Sequence, residues 1–162
     1  GDRGGVISAQ IHLTPFADRA ALLAAVKALP DDVARVALDL PLRANLSALD
    51  NIALIPLYQS HVDATESTRQ AQAMLERLGF ADIAPLRDPD MTPAQRFATQ
   101  LARALILQRP RLVIDRPGAM LYDVPYPAFI RQLAEQAAMA GTWEIYDFSW
   151  NQPLYNQALD SE

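Results

Sequence analysis

Apolar residues recur at helical spacing in several stretches of this chain, separated by short runs of strand character. Val6 to Leu13 reads as a strand. Phe16 to Leu29 places Leu22, Leu23, Val26 and Leu29 on one helical face and is stopped by Pro30. Val33 to Leu38 returns to strand character, and a loop with Asp39 and Pro41 follows. Ser47 suits the cap of a short helix over Leu49 to Leu54, with Asp50 three residues on and Pro56 expected to end it. The next helix is expected from Thr65 or Glu66, with Ala73, Met74, Leu75 and Leu78 turned inward and Gly79 as its left-handed stop.

A polar loop, Arg87-Asp88-Pro89-Asp90, leads into the sharpest local signal of the chain, Thr92-Pro93-Ala94-Gln95. Thr suits an N-cap, Pro the first helical position and Gln the third, so a helix should run from here to about Gln108. Leu112-Val113-Ile114 is a brief buried strand ending in Asp115. Phe129 to Met139 is amphipathic, Gly141 breaks it, and Trp143 to Phe148 is a further strand. The tail from Asn151 has no clear pattern. Strands alternate with helices at both ends while the middle is helical, which predicts an α/β layer with an inserted helical lobe. The expected division is 1–42 with 104–162 for the α/β core and 43–103 for the helical lobe.

Composition narrows the chemistry. The chain has 162 residues, 51% hydrophobic and 20% charged, enough for a real core. It has no cysteine, which removes disulfides, thiol catalysis and thiolate metal sites. The net charge of -5 offers no basic field for nucleic acid, and none is expected as a partner. No run approaches the roughly 18 apolar residues of a membrane span, and the opening Gly1 to Gly5 is polar and turn-like.

Four segments, in order, resemble the ATP-binding domain of ATP-binding-cassette (ABC) transporters. Asp2-Arg3-Gly4-Gly5-Val6-Ile7 is similar to the turn that enters the strand after that family's P-loop helix. Val36-Ala37-Leu38-Asp39 followed by Asn45 to Leu54 (N-L-S-A-L-D-N-I-A-L) looks like the Q-loop and the segment after it. Met74-Leu75-Glu76-Arg77-Leu78-Gly79-Phe80 resembles the helix end before the signature loop. Leu101-Ala102-Arg103-Ala104-Leu105 through Pro110 to Asp115 and Pro117 is similar to the passage from the signature helix to the Walker B strand. The fold this implies is a partial P-loop, RecA-like lobe with an inserted all-helical subdomain. In the family the P-loop strand is central in its sheet. Its absence predicts an open edge, closed by sequence upstream of Gly1, by dimerisation or by swapped elements. A resemblance that starts at Gly1 fits a truncated or processed product.

The resemblance also shows where chemical residues differ. No G-x-x-x-x-G-K-[ST] occurs, and the one lysine, Lys27, has no glycine near it. The signature loop reads Met91-Thr92-Pro93-Ala94-Gln95. Thr92 and Gln95 stand in nucleotide-facing positions, but an ordinary capped helix accounts for the same residues. Asp115 matches the aspartate that orders magnesium, and the glutamate position after it is Arg116, which cannot accept a proton. Asp115 is therefore read first as a structural acid paired with Arg116 or capping a turn, and only second as a magnesium-organising one. Asp39 stands at the Q-loop glutamine, Tyr146 at the switch histidine, and Leu121-Tyr122 at the D-loop. His12 and His61 lie elsewhere, at surface or satisfied core positions.

Three functions fit. The first is a non-hydrolytic cassette-like subunit that binds a transporter membrane subunit or a second cassette, as a homo- or heterodimer. Its contact candidates are Leu40, Leu46, Leu49, Leu54 and Tyr58, although core leucines explain the same pattern. It needs no cofactor, ATP and magnesium being possible only with the absent front or a partner, and it would lie in the cytoplasm, peripheral to the inner face of the membrane. The second is a conventional transporter ATPase whose P-loop lies upstream. The third is a stand-alone interaction or regulatory domain.

Overall fold

The computed structural model describes residues 6–8, 11–138 and 141–160, with side chains over 11–138 and 141–156. The described residues form two compact units, one of residues 1–38 with 109–162 and one of residues 39–108. The division lies a few residues outside the expected helical lobe at each end. The reason is that Gln100 and Arg103 hydrogen-bond the carbonyls of Leu40 and Pro41, which ties that loop to the helical unit. Residues 2–5, Ala9, Gln10 and Met139, on which parts of the expected first turn, first strand and last amphipathic helix fall, lie outside the described residues.

The first unit is built on a five-stranded sheet. Its strands are β1 (Val6–Ser8), β2 (Ile11–Phe16), β3 (Ala34–Val36), β4 (Arg111–Asp115) and β5 (Thr142–Phe148), in the order β1-β2-β5-β4-β3. Only β1 is antiparallel to its neighbour; β2, β5, β4 and β3 run parallel. The helices are α1 (Arg19–Lys27), α5 (Tyr126–Ala137) and α6 (Gln152–Asp160). The crossovers from β2 to β3 and from β4 to β5 run in opposite directions along the sheet. Right-handedness therefore places α1 and α5 on opposite faces.

Alternation along the strands sorts the side chains. One face carries Ile11, Leu13, Ala34, Val36, Leu112, Ile114, Trp143 and Ile145, all buried. The other carries His12, Thr14, Arg35, Arg111, Asp115, Glu144 and Tyr146 around a buried Val113. A parallel sheet normally buries both faces in apolar residues, so this polar face marks the region as special. β2 pairs with β5 from Ile11 opposite Trp143 to Phe16 opposite Phe148, and its Ile11 and Leu13 complete the apolar face.

The second unit contains α2 (Ala48–Gln59), α3 (Ala64–Leu78) and α4 (Pro93–Leu105), each packed on the other two. Ser47 caps α2 as expected, its Oγ accepting from the amide of Asp50 at 3.0 Å. Pro56, expected to end that helix, lies inside it. Proline removes one amide donor at a cost of about 3 kcal/mol. Burial of Ile52, Ala53 and Pro56 itself against the neighbouring helices offsets that loss. α3 begins at a cap on Asp63 and ends at Gly79 (φ 84°), the expected stop. Its buried face is Ser67, Ala71, Leu75 and Leu78, so Ala73 faces solvent and Met74 is only half-buried. α4 has the expected capping box, and it buries Phe97, Ala98, Leu101, Ala102, Ala104 and Leu105. It stops at Leu105 rather than near Gln108, which is left-handed at φ 56°.

Other boundaries move for local reasons. α1 starts at Arg19 because Pro15 and Phe16 still belong to β2 and Asp18 supplies the cap. α5 starts at Tyr126, before the expected Phe129, with Pro127 in its first turn, where a missing amide costs little. The patternless tail forms α6. Gly141 adopts φ 114° before β5, and a Cβ there would lie 2.9 Å from the Pro110 carbonyl oxygen. Gly141→Ala is therefore expected to cost about 1–3 kcal/mol in urea unfolding. Gly118→Ala, which would meet only the Tyr126 side chain at 3.2 Å, should cost less.

Candidate functional site

The parallel strands β2, β4 and β5 end at one edge of the sheet, where an open α/β layer ordinarily meets its ligands. Asp115 is the last residue of β4, opposite Tyr146 of β5, and is only 4% exposed. Arg116 turns into the left-handed region (φ 47°, ψ 63°), and its amide donates to the Tyr146 carbonyl at 2.8 Å. In that conformation the guanidinium folds back on its neighbour, Nε to Oδ1 at 2.7 Å and Nη2 to Oδ2 at 3.3 Å. Arg35 of β3 adds a second cation, its Nη2 3.8 Å from Oδ2. A left-handed non-glycine residue costs about 1–3 kcal/mol, and the two-point ion pair with a buried carboxylate offsets it.

Tyr146 has a different environment. Its ring meets Phe16 edge-on with centroids 5.1 Å apart, and its hydroxyl accepts from Arg111 Nη2 at 3.3 Å. Arg111 also forms a fork with Glu144. Burial pushes the Tyr146 phenol above its ordinary pKa, the Glu144 charge adds to this, and Arg111 opposes it.

The next residue, Asp147, was not singled out as a site by its sequence position, yet it is 2% exposed and fully engaged. It accepts from the Phe148 amide at 2.7 Å, Asn151 Nδ2 at 3.0 Å and the Tyr155 hydroxyl at 2.6 Å. Burial, and then the Asp147 carboxylate, drive the Tyr155 pKa far upward; Tyr126, packed edge-on against Tyr155, is raised by the same causes. The acid-to-tyrosine contact between β5 and α6 had no signal in a tail without periodicity.

The unit also contains a strand–turn–helix element, β2 into α1, at the same edge. In a phosphate-binding protein the amides at such a helix start face the anion. Here Asp18 caps them, its Oδ1 accepting from the Ala21 amide at 2.8 Å. Lys27 is at the opposite end of α1. Among the described residues no group of three or more His, Asp and Glu side chains is placed to hold a metal ion. His12 and His61 are exposed.

In the helical unit Thr92 and Gln95 are used by each other. The Gln95 amide donates to Thr92 Oγ1 at 3.1 Å, and the Thr92 amide to Gln95 Oε1 at 2.9 Å. Asp39 is exposed at the start of this unit. Thus Asp115, Arg116 and Tyr146 are brought together in one unit, while Asp39, Thr92 and Gln95 belong to the other.

The helical unit has a cleft of about 300 Å³ lined by Arg43, Asn51, Leu54, Ile55, Tyr58, Gln59 and Arg103. Of the expected contact residues, Leu54 and Tyr58 line it. Leu40 and Leu46 support it through their carbonyls, and half-buried Leu49 does not line it. Buried Asn51 shapes the entrance. Its Oδ1 accepts from the Arg43 amide at 2.8 Å, and its Nδ2 lies within hydrogen-bonding distance of the Arg43, Leu46 and Ser47 carbonyls. Arg103 donates to the carbonyls of Pro41, at 2.9 Å, and Leu40.

No family model matches the chain. It is 35% identical over 106 residues to the phosphonates import ATP-binding protein PhnC of Nocardia farcinica, covering 60% of this chain and 39% of that protein. It is 34% identical over 98 residues to the lipoprotein-releasing system ATP-binding protein LolD of Shewanella denitrificans, covering 58% and 41%. Its fold matches the ATP-binding cassette MJ0796, solved as a dimer bound to ADP and Pi, with a TM-score of 0.59 at 22% identity. That match covers 77% of this chain and 60% of the other. The chain is related to ABC nucleotide-binding domains, in sequence and in fold. The cassette cbiO1 of Clostridium perfringens, part of the transporter complex cbiONQ, matches with a TM-score of 0.61 at 19% identity, over 76% of this chain and 49% of that one. The chain thus spans about two-fifths of the length of these two curated relatives.

Two measurements probe this cassette-like edge. Arg116→Glu places a second carboxylate against a buried one. It should lower stability by about 2–4 kcal/mol in urea unfolding. The raised phenols set an alkaline limit. Unfolded tyrosines titrate near pH 10, folded ones higher, so stability is intact below about pH 10 and is lost as pH rises above it. Tyr155→Phe should flatten that loss in pH-dependent melting, while costing about 1.5–3 kcal/mol at neutral pH by stripping a donor from Asp147.

Proposed function

We propose that this chain works as a non-hydrolytic cassette-type subunit whose output is binding to a transporter membrane subunit or a second cassette. The observation that carries this reading is the Asp115–Arg116 fork. A carboxylate gripped at both oxygens by one guanidinium, with Arg35 beside it, is a poor organiser of a divalent cation. Arg116 has no lone pair with which to take a proton from water. Asp18 puts negative charge at the helix start where a phosphate would need donors. Thr92 and Gln95 are occupied by their own cap, and Pro93 offers no amide. These residues do not fit a magnesium–triphosphate, and no catalytic step is assigned to them.

Binding is the remaining use of the scaffold, and the cleft on α2 supplies a surface for it. No helix among the described residues is long and apolar enough to cross a membrane. On this reading the chain lies in the cytoplasm, at the inner face of the membrane, held there by its partner. Titration calorimetry with ATP and magnesium, paired with a phosphate-release assay, is expected to show neither tight binding nor turnover. Micromolar binding with turnover by the chain alone would overturn the proposal and favour a conventional transporter ATPase.

A further inference from the structure

We propose that the cleft on α2 is a binding site for a small aromatic dianion, of which an aryl phosphate is the simplest example. Arg43 and Arg103 take its charge and Tyr58 its ring. The proposal goes beyond the function argued above and does not depend on it. At about 300 Å³ the cleft stands at the lower limit of ligand pockets, which suits a molecule of one ring and one charged group. Leu54 and Ile55 are half-buried, and Tyr58, one helical turn further along α2, is 69% exposed. A flat apolar body lying on the phenol ring in offset fashion removes that surface from water.

Charge decides what that body must carry. In a chain of net charge -5, this cleft has two arginines and no acidic residue in its lining. Arg96, Arg111 and Arg116 each grip a carboxylate, but among the described residues neither Arg43 nor Arg103 is paired with one. Arg103 spends two of its five N–H donors on the neutral carbonyls of Pro41 and Leu40, which fix its direction without cancelling its charge. Burial, and then the nearby Arg43 charge, lower the Arg103 pKa, so the two cations disfavour each other. A doubly charged anion between them removes that repulsion and gains charge-assisted hydrogen bonds from both, whereas a single charge leaves one cation in excess. Asn51, whose side chain already serves the loop 43–47, shapes the wall and leaves recognition to the arginines.

The test is a proton–nitrogen NMR titration of the full chain with phenyl phosphate at about pH 7.5, where its phosphate carries close to two charges. Shifts should be confined to Arg43, residues 51–59 and Arg103, and should saturate with a Kd below about 1 mM. Benzoate has the ring with one charge, and inorganic phosphate has the charge without a ring. Each should bind at least about tenfold more weakly, and neutral benzyl alcohol should not saturate. Arg43→Gln and Tyr58→Ala both alter exposed side chains, so the fold is expected to survive, and thermal melting checks that it does. Arg43→Gln should weaken phenyl phosphate at least about tenfold, and Tyr58→Ala should bring it down to the level of inorganic phosphate. Failure to saturate, shifts centred on Arg35, Arg111 and Arg116 instead, or affinity indifferent to Arg43→Gln would overturn the proposal. So would equal binding of phenyl phosphate and inorganic phosphate to the unaltered chain, which would reduce the cleft to a general attraction for anions. These shifts are read at the cleft itself, so the turnover assay judges the non-hydrolytic reading independently of them.

Discussion

A carboxylate buried at the end of a strand must find compensation within reach, because isolated charge in a low-dielectric site is prohibitively costly. This sheet meets the requirement twice in the same row of strand ends. Asp115 is held by guanidinium groups and Asp147 by an amide, a carboxamide and a phenol. The first solution bends the chain after β4 into a left-handed turn. The second fastens α6 to β5. Much of the form of this edge follows from how those two acids are satisfied.

Local chemistry was legible from sequence wherever one residue determined the outcome. The Thr92-Pro93-Ala94-Gln95 start of α4, the Ser47 cap and the left-handed Gly79 each act over three or four residues, and each stands where its chemistry points. Pro56 illustrates the limit. Its local effect is to break a helix, but packing on two neighbouring helices outweighs one missing donor. Ala73 lost its inward place because the buried face of α3 is set by what α2 and α4 present, not by α3 alone. β2 could be recognised as extended. Its pairing with β5 joins segments far apart in sequence.

The candidate site divides along the same line. Asp115 and Arg116 are adjacent, so an acid–base pair was foreseeable from the sequence. Arg35, which adds the second cation, lies on a strand in a different part of the chain and could not be placed beside them by spacing. The two arginines of the α2 cleft are similarly remote, one in the loop before the helix and one late in α4. Tyr155 had no pattern to mark it, since its partner is a single buried acid on another element. Motif resemblance found the scaffold because scaffolds are written in contiguous stretches; the electrostatics that decide its use are assembled by the fold.

Asn51 has one more consequence. By knotting residues 43–47 to the start of α2, it sets the mouth of the cleft before any visitor comes. A mouth held ready surrenders little disorder when it is filled. Adjusting how long a guest stays then becomes a matter of the side chains it touches, not of remodelling the wall around it.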